Sequence, residues 1–254
     1  MAPTASRHDP YAFTGAEERA YAIASMRPYF TNEPEQVKFF RAQAAQVLGG
    51  GGPLRVLDTC AGLGDLTYHL RPINPQARYV VSDRAQFLLD AGREYFTDAS
   101  NVSFQAADVY ALQAAFGAKA FDVTLCKQTL SWLPDYRDAV REMIAVTRGA
   151  IFVSSLFYDG RVDFEIRVRE WAIAAAQDGH TSYYNVYSLP EFRDFCLAHG
   201  ARAVEGADFH IGIDLPRPAS PDRMGSYTRR LDTGERLLFS GAVYMPWKIV
   251  RIDV

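Results

Sequence analysis

The stretch Leu54-Arg55-Val56-Leu57-Asp58-Thr59-Cys60-Ala61-Gly62-Leu63-Gly64-Asp65-Leu66-Thr67 constrains this chain more than any other. A short apolar run ends in an acidic residue, then turns through two closely spaced glycines into a helical pattern. Strand, tight turn and helix start in that order bring backbone N–H groups to a place that a ligand can approach. Gly62 and Gly64 lack Cβ atoms, so the chain can bend sharply there. The rest of the chain reads as support for this turn or as the wall of a pocket above it.

From residue 54 onward strand and helix alternate. Strands are expected over residues 54–57, 78–82, 102–105, 121–126 and 150–154, with helices over 64–71, 85–96, 109–116 and 133–147. Short apolar runs joined by crossover helices imply a parallel sheet covered on both faces. Such sheets bind ligands beyond the carboxyl ends of their strands. That rule points to Asp58–Gly64, Asp83, Asp108 and residues 127–129, each just past a strand.

The flanks are less regular. Residues 1–30 read as irregular but aromatic (Tyr11, Phe13, Tyr21, Tyr29, Phe30), either pinned to the core by their rings or closing over a pocket. A helix follows with Asn32 as N-cap, Pro34 in its first turn and Val37, Phe40, Ala44, Val47 and Leu48 on one face. Helical character is expected over residues 161–177, then a polar-aromatic loop over 179–187 and a helix over 189–199 capped by Ser188. The tail carries strand-like runs over 203–213 and 237–252 and a hairpin signal at Asp232-Thr233-Gly234, all expected to extend the sheet as an antiparallel edge. Four segments result: a helical lid segment over 1–53, a ligand-binding core over 54–155, a cap over 156–200 and sheet-completing strands over 201–254.

With 254 residues, 48% of them hydrophobic, the chain can bury a substantial α/β core. A net charge of -3 lacks the basic surplus of a nucleic-acid binder. Cys60, Cys126 and Cys196 lie far apart in no metal-ligand spacing, and His8, His69, His199 and His210 show no ligand pattern, so no metal is expected. Unpaired cysteines and the lack of a long apolar run suggest a reduced, cytoplasmic protein without a signal peptide or membrane span.

A dinucleotide fingerprint needs G-x-G-x-x-G, and Thr67 stands where the third glycine belongs. A phosphate-binding P-loop fails because no Lys-Ser or Lys-Thr follows the glycines. The chain instead resembles class I S-adenosylmethionine-dependent methyltransferases of small-molecule type. Residues 56–64 are similar to that family's first motif, residues 80–83 to its second-strand motif, residues 105–109 to its third, and residues 121–126 with 130–135 to its fourth strand and helix. The resemblance covers about residues 54 to 155. It implies a Rossmann-like three-layer sandwich with a mostly parallel sheet, an antiparallel C-terminal edge hairpin and a small helical, aromatic cap.

By the same resemblance, Asp58, Cys60, Ala61, Gly62 and Gly64 hold the methionine part of S-adenosylmethionine. Asp83, with Arg84 beside it, accepts hydrogen bonds from the ribose hydroxyls, and Asp108 with Val109 recognises the adenine edge. Two positions depart from the pattern. Cys60 replaces the first glycine, as in some quinone-ring methyltransferases, and Lys127 stands where many relatives carry a small polar residue. Lys127 either neutralises the cofactor carboxylate or an anionic substrate, or pairs with a nearby acid.

The implied reaction is in-line transfer of a methyl group from a sulfonium to a nucleophile, which needs chiefly positioning. A general base is needed only when the nucleophile must lose a proton. The catalytic candidates are His180, Tyr184 and Tyr187 in the loop before the helix over 189–199, with Tyr183 and Trp132 as further pocket walls; the alternatives are a solvated His180, tyrosines that pack this segment onto the sheet and a Trp132 in the core. Arg217, Arg223, Arg229, Arg230 and Arg236 form either an anion patch or a charged sheet edge. The expected partner is a small-molecule substrate, with no nucleic acid and no membrane. The alternatives are a non-methylating or aminopropyl-transferring enzyme on the same fold, an inactive cofactor-binding subunit and, more distantly, an NAD-dependent oxidoreductase.

Overall fold

The computed structural model describes residues 15–171, 182–220 and 224–254. Helices α1 (Ala16–Met26), α2 (Pro28–Thr31) and α3 (Glu35–Leu48) lead into β1 (Arg55–Thr59). An alternating series follows: α4 (Asp65–Leu70), β2 (Arg78–Asp83), α5 (Gln86–Gly92), β3 (Val102–Ala106), α6 (Leu112–Phe116), β4 (Phe121–Lys127), α7 (Arg137–Val146) and β5 (Thr147–Tyr158). Short strands β6 (Arg167–Val168), β7 (Ser182–Tyr183) and β8 (Tyr187–Ser188) precede α8 (Leu189–Ala198). The chain ends through β9 (Ala203–Asp208), β10 (Ser226–Arg230), β11 (Arg236–Ser240), β12 (Val243–Tyr244) and β13 (Trp247–Asp253).

The central sheet has the order β3-β2-β1-β4-β5-β13-β9, with β8 attached to β5. Strands β1 to β5 pair in parallel, and β13 runs antiparallel to both β5 and β9. Successive side chains alternate between two faces, as a pleated sheet requires. Val56, Val123, Leu125 and Phe152 pack with α3 and α4 through Phe40, Leu48 and Leu66. Leu57, Cys126, Ile151 and Val153 pack on the other face with α7 and α8 through Val140, Met143 and Phe192. This is the expected three-layer sandwich.

Several expectations need correction. Residues 16–31 are helical rather than irregular, and Phe30 is their anchor, stacked on Tyr95 at 3.7 Å while Tyr21 stays 60% exposed. Asn32 closes α2, and α3 begins after Pro34 with no side-chain cap. Residues 161–170 form no helix; Phe164 bridges Val186 and β6 pairs with β7. The Asp232–Gly234 hairpin does not join the central sheet but forms a separate antiparallel sheet, β10-β11-β12. The edge is completed by β13 and β9 instead. Ser188 caps α8 as expected, its Oγ accepting from Glu191 N at 3.2 Å.

Strand β5 outruns its expected span. Lys127, the last residue of β4, pairs with Ser154, and β5 continues four residues further to Tyr158. At about 3.3 Å per residue this overhang reaches roughly 13 Å past the end of β4. β13 and β8 both dock on it, through Leu156–Trp247 and Phe157–Tyr187.

Helix α5 seats directly on the glycine turn, for a Cβ added at Gly92 would lie 2.3 Å from the Leu63 carbonyl oxygen. Backbone cannot yield as a flexible side chain can. Gly92→Ala is therefore expected to destabilise the fold by about 1–3 kcal/mol in urea denaturation, the scale of overpacking a tight core. An unchanged midpoint would show that α5 does not bear on the turn.

Candidate functional site

The turn from β1 to α4 is built on left-handed backbone at three positions: Cys60 (φ 54), Gly62 (φ 58) and Gly64 (φ 89). Gly62 and Gly64 adopt this region without a Cβ penalty, whereas Cys60 adopts it at a cost of roughly 1–2 kcal/mol. The neighbouring strand end fixes the turn: Ala61 N donates to the Ser82 carbonyl at 2.9 Å and Gly62 N to Asp83 Oδ2 at 2.9 Å. The other oxygen of Asp83 accepts from Ala85 N, at 2.9 Å, where α5 begins. A Cβ on Gly62 would meet Met26 Sδ at 3.1 Å, so α1 lies over the turn.

Beneath the turn Asp58 is 1% exposed. Its Oδ2 accepts from Thr67 Oγ1 at 2.7 Å and Thr67 N at 3.2 Å, while Oδ1 is buried without a partner among the described residues. Burial, opposed by the Thr67 hydrogen bond and reinforced by the Asp65 charge, pushes the Asp58 carboxyl up to about 7. Lys127 forms an ion pair with Asp65 and points its ammonium at the Tyr29 ring, 5.7 Å from the centroid. His69 Nε2 lies 2.7 Å from the Tyr29 carbonyl oxygen, which fixes α2 against α4. Thr67, Asp65, Met26 and Tyr29 thus belong to the turn's surroundings; the Asp65–Lys127 pair, 62 residues apart, is too distant for local spacing to single out.

The remaining candidates divide clearly. Asp58, Cys60, Ala61, Gly62, Gly64, Asp83 and Lys127 come together at the ends of β1, β2 and β4. Arg84 is exposed beside Asp83. Asp108 caps the short turn after β3, its Oδ1 accepting from Tyr110 N at 2.9 Å, and Val109 is buried. The Cys60 thiol faces Cys126; their hydrogen bond, then burial and the nearby Asp83 charge, hold it protonated.

The catalytic candidates are not brought to this turn. His180 lies outside the described residues. The Tyr187 hydroxyl donates within the core toward the Leu130 and Leu133 carbonyls, at 3.1 and 3.0 Å, and accepts from Asn185 Nδ2 at 3.2 Å. The Tyr184 hydroxyl reaches Met245 Sδ at 3.6 Å, and its ring packs on Trp132 with centroids 5.0 Å apart. Burial pushes the Tyr184 phenol up to about 12 and raises Tyr187 as well. Both are 4% exposed, and these hydroxyls tie the cap to the core rather than offering a base. In the tail, Arg230 and Arg236 pair with Asp214, and Arg217 and Arg229 lie over the Tyr227 ring, the behaviour of a charged sheet edge. Arg223 lies outside the described residues. Among the described residues no cluster fits a metal ion, and no helix is long and apolar enough to cross a membrane.

A family model described as a methyltransferase domain matches residues 56–149. The demethylmenaquinone methyltransferase of Staphylococcus aureus is 29% identical over 115 residues, which are 45% of this chain and 47% of that protein. The chain thus spans about half the length of the curated relatives it matches. Magnesium protoporphyrin IX methyltransferase from Synechocystis PCC 6803, solved with bound SAH, superposes with a TM-score of 0.53 at 13% identity, covering 95% of this chain and 88% of that one. The YcgJ protein of Bacillus subtilis gives 0.53 at 14% identity, over 85% and 98%. At these identities the structures share the fold.

The raised Asp58 carboxyl has a consequence for stability. An acid whose folded pKa exceeds its unfolded value near 3.8 stabilises fully below that value, and this is lost as pH rises through about 7. Ionised Asp58 should therefore cost on the order of a few kcal/mol at pH 8. Asp58→Asn is expected to gain in Tm relative to the wild type as pH rises from 4 to 8. A constant Tm difference across that range would show that Asp58 does not titrate in this way.

Proposed function

We propose that this chain, which carries a class I S-adenosylmethionine-dependent methyltransferase domain of Rossmann-like fold, transfers a methyl group to a small-molecule acceptor. The observation that carries the reading is the turn itself: left-handed Cys60, Gly62 and Gly64, held from β2 by Asp83, above an Asp58 oxygen that is buried and unpartnered. A buried acceptor without a donor is costly, and a ligand's N–H at the turn would satisfy it. The residues present therefore fit the cofactor.

On this reading Asp58 and the backbone from Cys60 to Gly64 hold the amino-acid end, with Lys127 supplying positive charge for its carboxylate and Asp65 keeping that ammonium in place. Asp83, whose carboxylate also accepts from Gly62 N and Ala85 N, is the acceptor for the ribose hydroxyls, and Arg84 flanks it. Asp108 and Val109 bound the base. S-adenosylmethionine, when bound, supplies an electrophilic methyl group on sulfur. The chain's own work is to orient the two ligands, exclude water through α1 and α2, and hold the acceptor in line. Among the described residues, those up to 53 serve as lid, 54–155 hold the cofactor, and those from 156 onward shape the acceptor side. The likeness to the demethylmenaquinone enzyme spans less than half of the chain, so it supports the cofactor reading and leaves the acceptor open. Three free thiols fit a reducing, cytoplasmic setting, and a net charge of -3 favours a small molecule over nucleic acid.

Isothermal titration calorimetry tests this directly. S-adenosylmethionine and S-adenosylhomocysteine are expected to bind and NAD not to; binding of NAD alone would overturn the reading. Asp83→Asn should weaken S-adenosylhomocysteine by about 10- to 100-fold, the scale of one or two hydrogen bonds to a charged group. An unchanged Kd in the folded variant would remove Asp83 from the site.

A further inference from the structure

A second concavity lies away from the glycine turn, where the β5 overhang, the start of β13, the end of β9 and the separate β10-β11-β12 sheet meet. Its volume is about 290 Å³. Tyr158, Phe209, Tyr244 and Trp247 supply aromatic walls. Trp247 is 5% exposed, yet its indole N–H is buried without a hydrogen-bond partner among the described residues.

The charge of the lining is uneven. Asp159, Asp208 and Glu235 face two cations, Lys248 and Arg236, with the His210 imidazole beside them. Lys248 is 7% exposed and serves both aspartates, pairing with Asp208 and reaching Asp159 Oδ1 at 3.1 Å. Arg236 is drawn away to Asp214, with Nε to Oδ1 at 2.8 Å. Glu235 has no cationic partner among the described residues. Each aspartate keeps lone pairs beyond those used by Lys248, so the cavity has acceptor capacity and negative charge to spare. Aromatic faces beside surplus carboxylates favour an organic cation, because ring quadrupole and carboxylate attract the same charge.

We propose that this cavity binds an organic ammonium ion carried on an aromatic or apolar body, with a hydrogen-bond acceptor for the Trp247 indole. The cavity joins the apolar cluster of Leu156, Tyr184, Leu238, Met245 and Trp247, and Trp132, which follows β4, packs on the same cluster. On the methyl-transfer reading, and only on it, the cavity anchors the cationic end of the acceptor. Binding of the ammonium does not depend on that reading.

The test uses tyramine, which pairs an ammonium with a phenolic oxygen, and 3-(4-hydroxyphenyl)propanoate, which replaces the ammonium with a carboxylate. Each is titrated calorimetrically into the full chain, with S-adenosylhomocysteine titrated in parallel. Tyramine is expected to bind saturably, at least about tenfold tighter than the propanoate. Glu235→Gln and Asp159→Asn, both changes at exposed carboxylates, should each weaken it about three- to tenfold. Equal or tighter binding of the propanoate would overturn the proposal. So would tyramine binding that neither substitution alters, or no tyramine binding by protein that binds S-adenosylhomocysteine. Protein that binds tyramine but not S-adenosylhomocysteine would support the cavity and overturn the methyl-transfer reading instead.

Discussion

The carboxylate of Asp83 is the contact on which the glycine turn depends. One oxygen accepts from Gly62 N and the other from Ala85 N, so a single side chain joins the first turn to the start of α5. It is 7% exposed, where hydrogen bonds to a charged acceptor are strong and their loss is expensive. The bond from Ala61 N to the Ser82 carbonyl adds a backbone brace from the same strand end. These contacts stabilise a left-handed Cys60, which an isolated turn would disfavour. Van der Waals contact does the rest, because Gly92 lets α5 lie against Leu63 and Gly64 lets the turn approach Val81. Removing the carboxylate would release a turn that β2 and α5 currently define together.

How much of this is legible in the sequence depends on how local the cause is. Asp58, Gly62, Gly64 and Asp83 stand out only jointly, because a single acidic residue after a strand is often just a turn former or cap, as Asp108 is. The parallel sheet follows from apolar runs separated by helical spacings. Over residues 161–170 the expected helix fails for a readable reason, while residues 172–177 lie outside the described residues: Phe164, Ile166 and Val168 repeat every second residue, the period of a strand. Phe164 accordingly bridges Val186 and Val168 pairs with Ser182. The hairpin at Asp232–Gly234 is local and forms as expected. Which sheet it joins is decided by tertiary packing of Leu238 and Met245 with Trp247, which no local pattern carries.

Tyr187 illustrates the same limit at the site. A tyrosine in a polar-aromatic loop suits a substrate pocket by residue type alone. Its hydroxyl partners are carbonyls of Leu130 and Leu133, more than fifty residues away in the chain. Once Asn185 also donates to it, the hydroxyl has no free role, and the ring packs on Tyr136 at 4.8 Å. The loop is therefore tied to the turn after β4 by hydrogen bonds and ring packing. The β5 overhang makes this possible, since β8 pairs with Phe157 and Tyr158 only because β5 continues past Ser154.

If the turn binds its ligand as proposed, its electrostatics would couple that binding to protons. Two carboxylates, Asp58 and Asp65, face one ammonium, Lys127, and Asp65 already takes that ammonium as its partner. Asp58 is left with Thr67 as a neutral donor and one bare oxygen, so burial holds much of it protonated near neutral pH. A cationic group bound beside that oxygen favours the ionised form and pulls the pKa down. Binding then releases a proton, and its strength rises with pH across the range in which Asp58 titrates. The same burial weakens the fold above neutrality, and on the proposed reading a cationic group beside that oxygen would offset the cost.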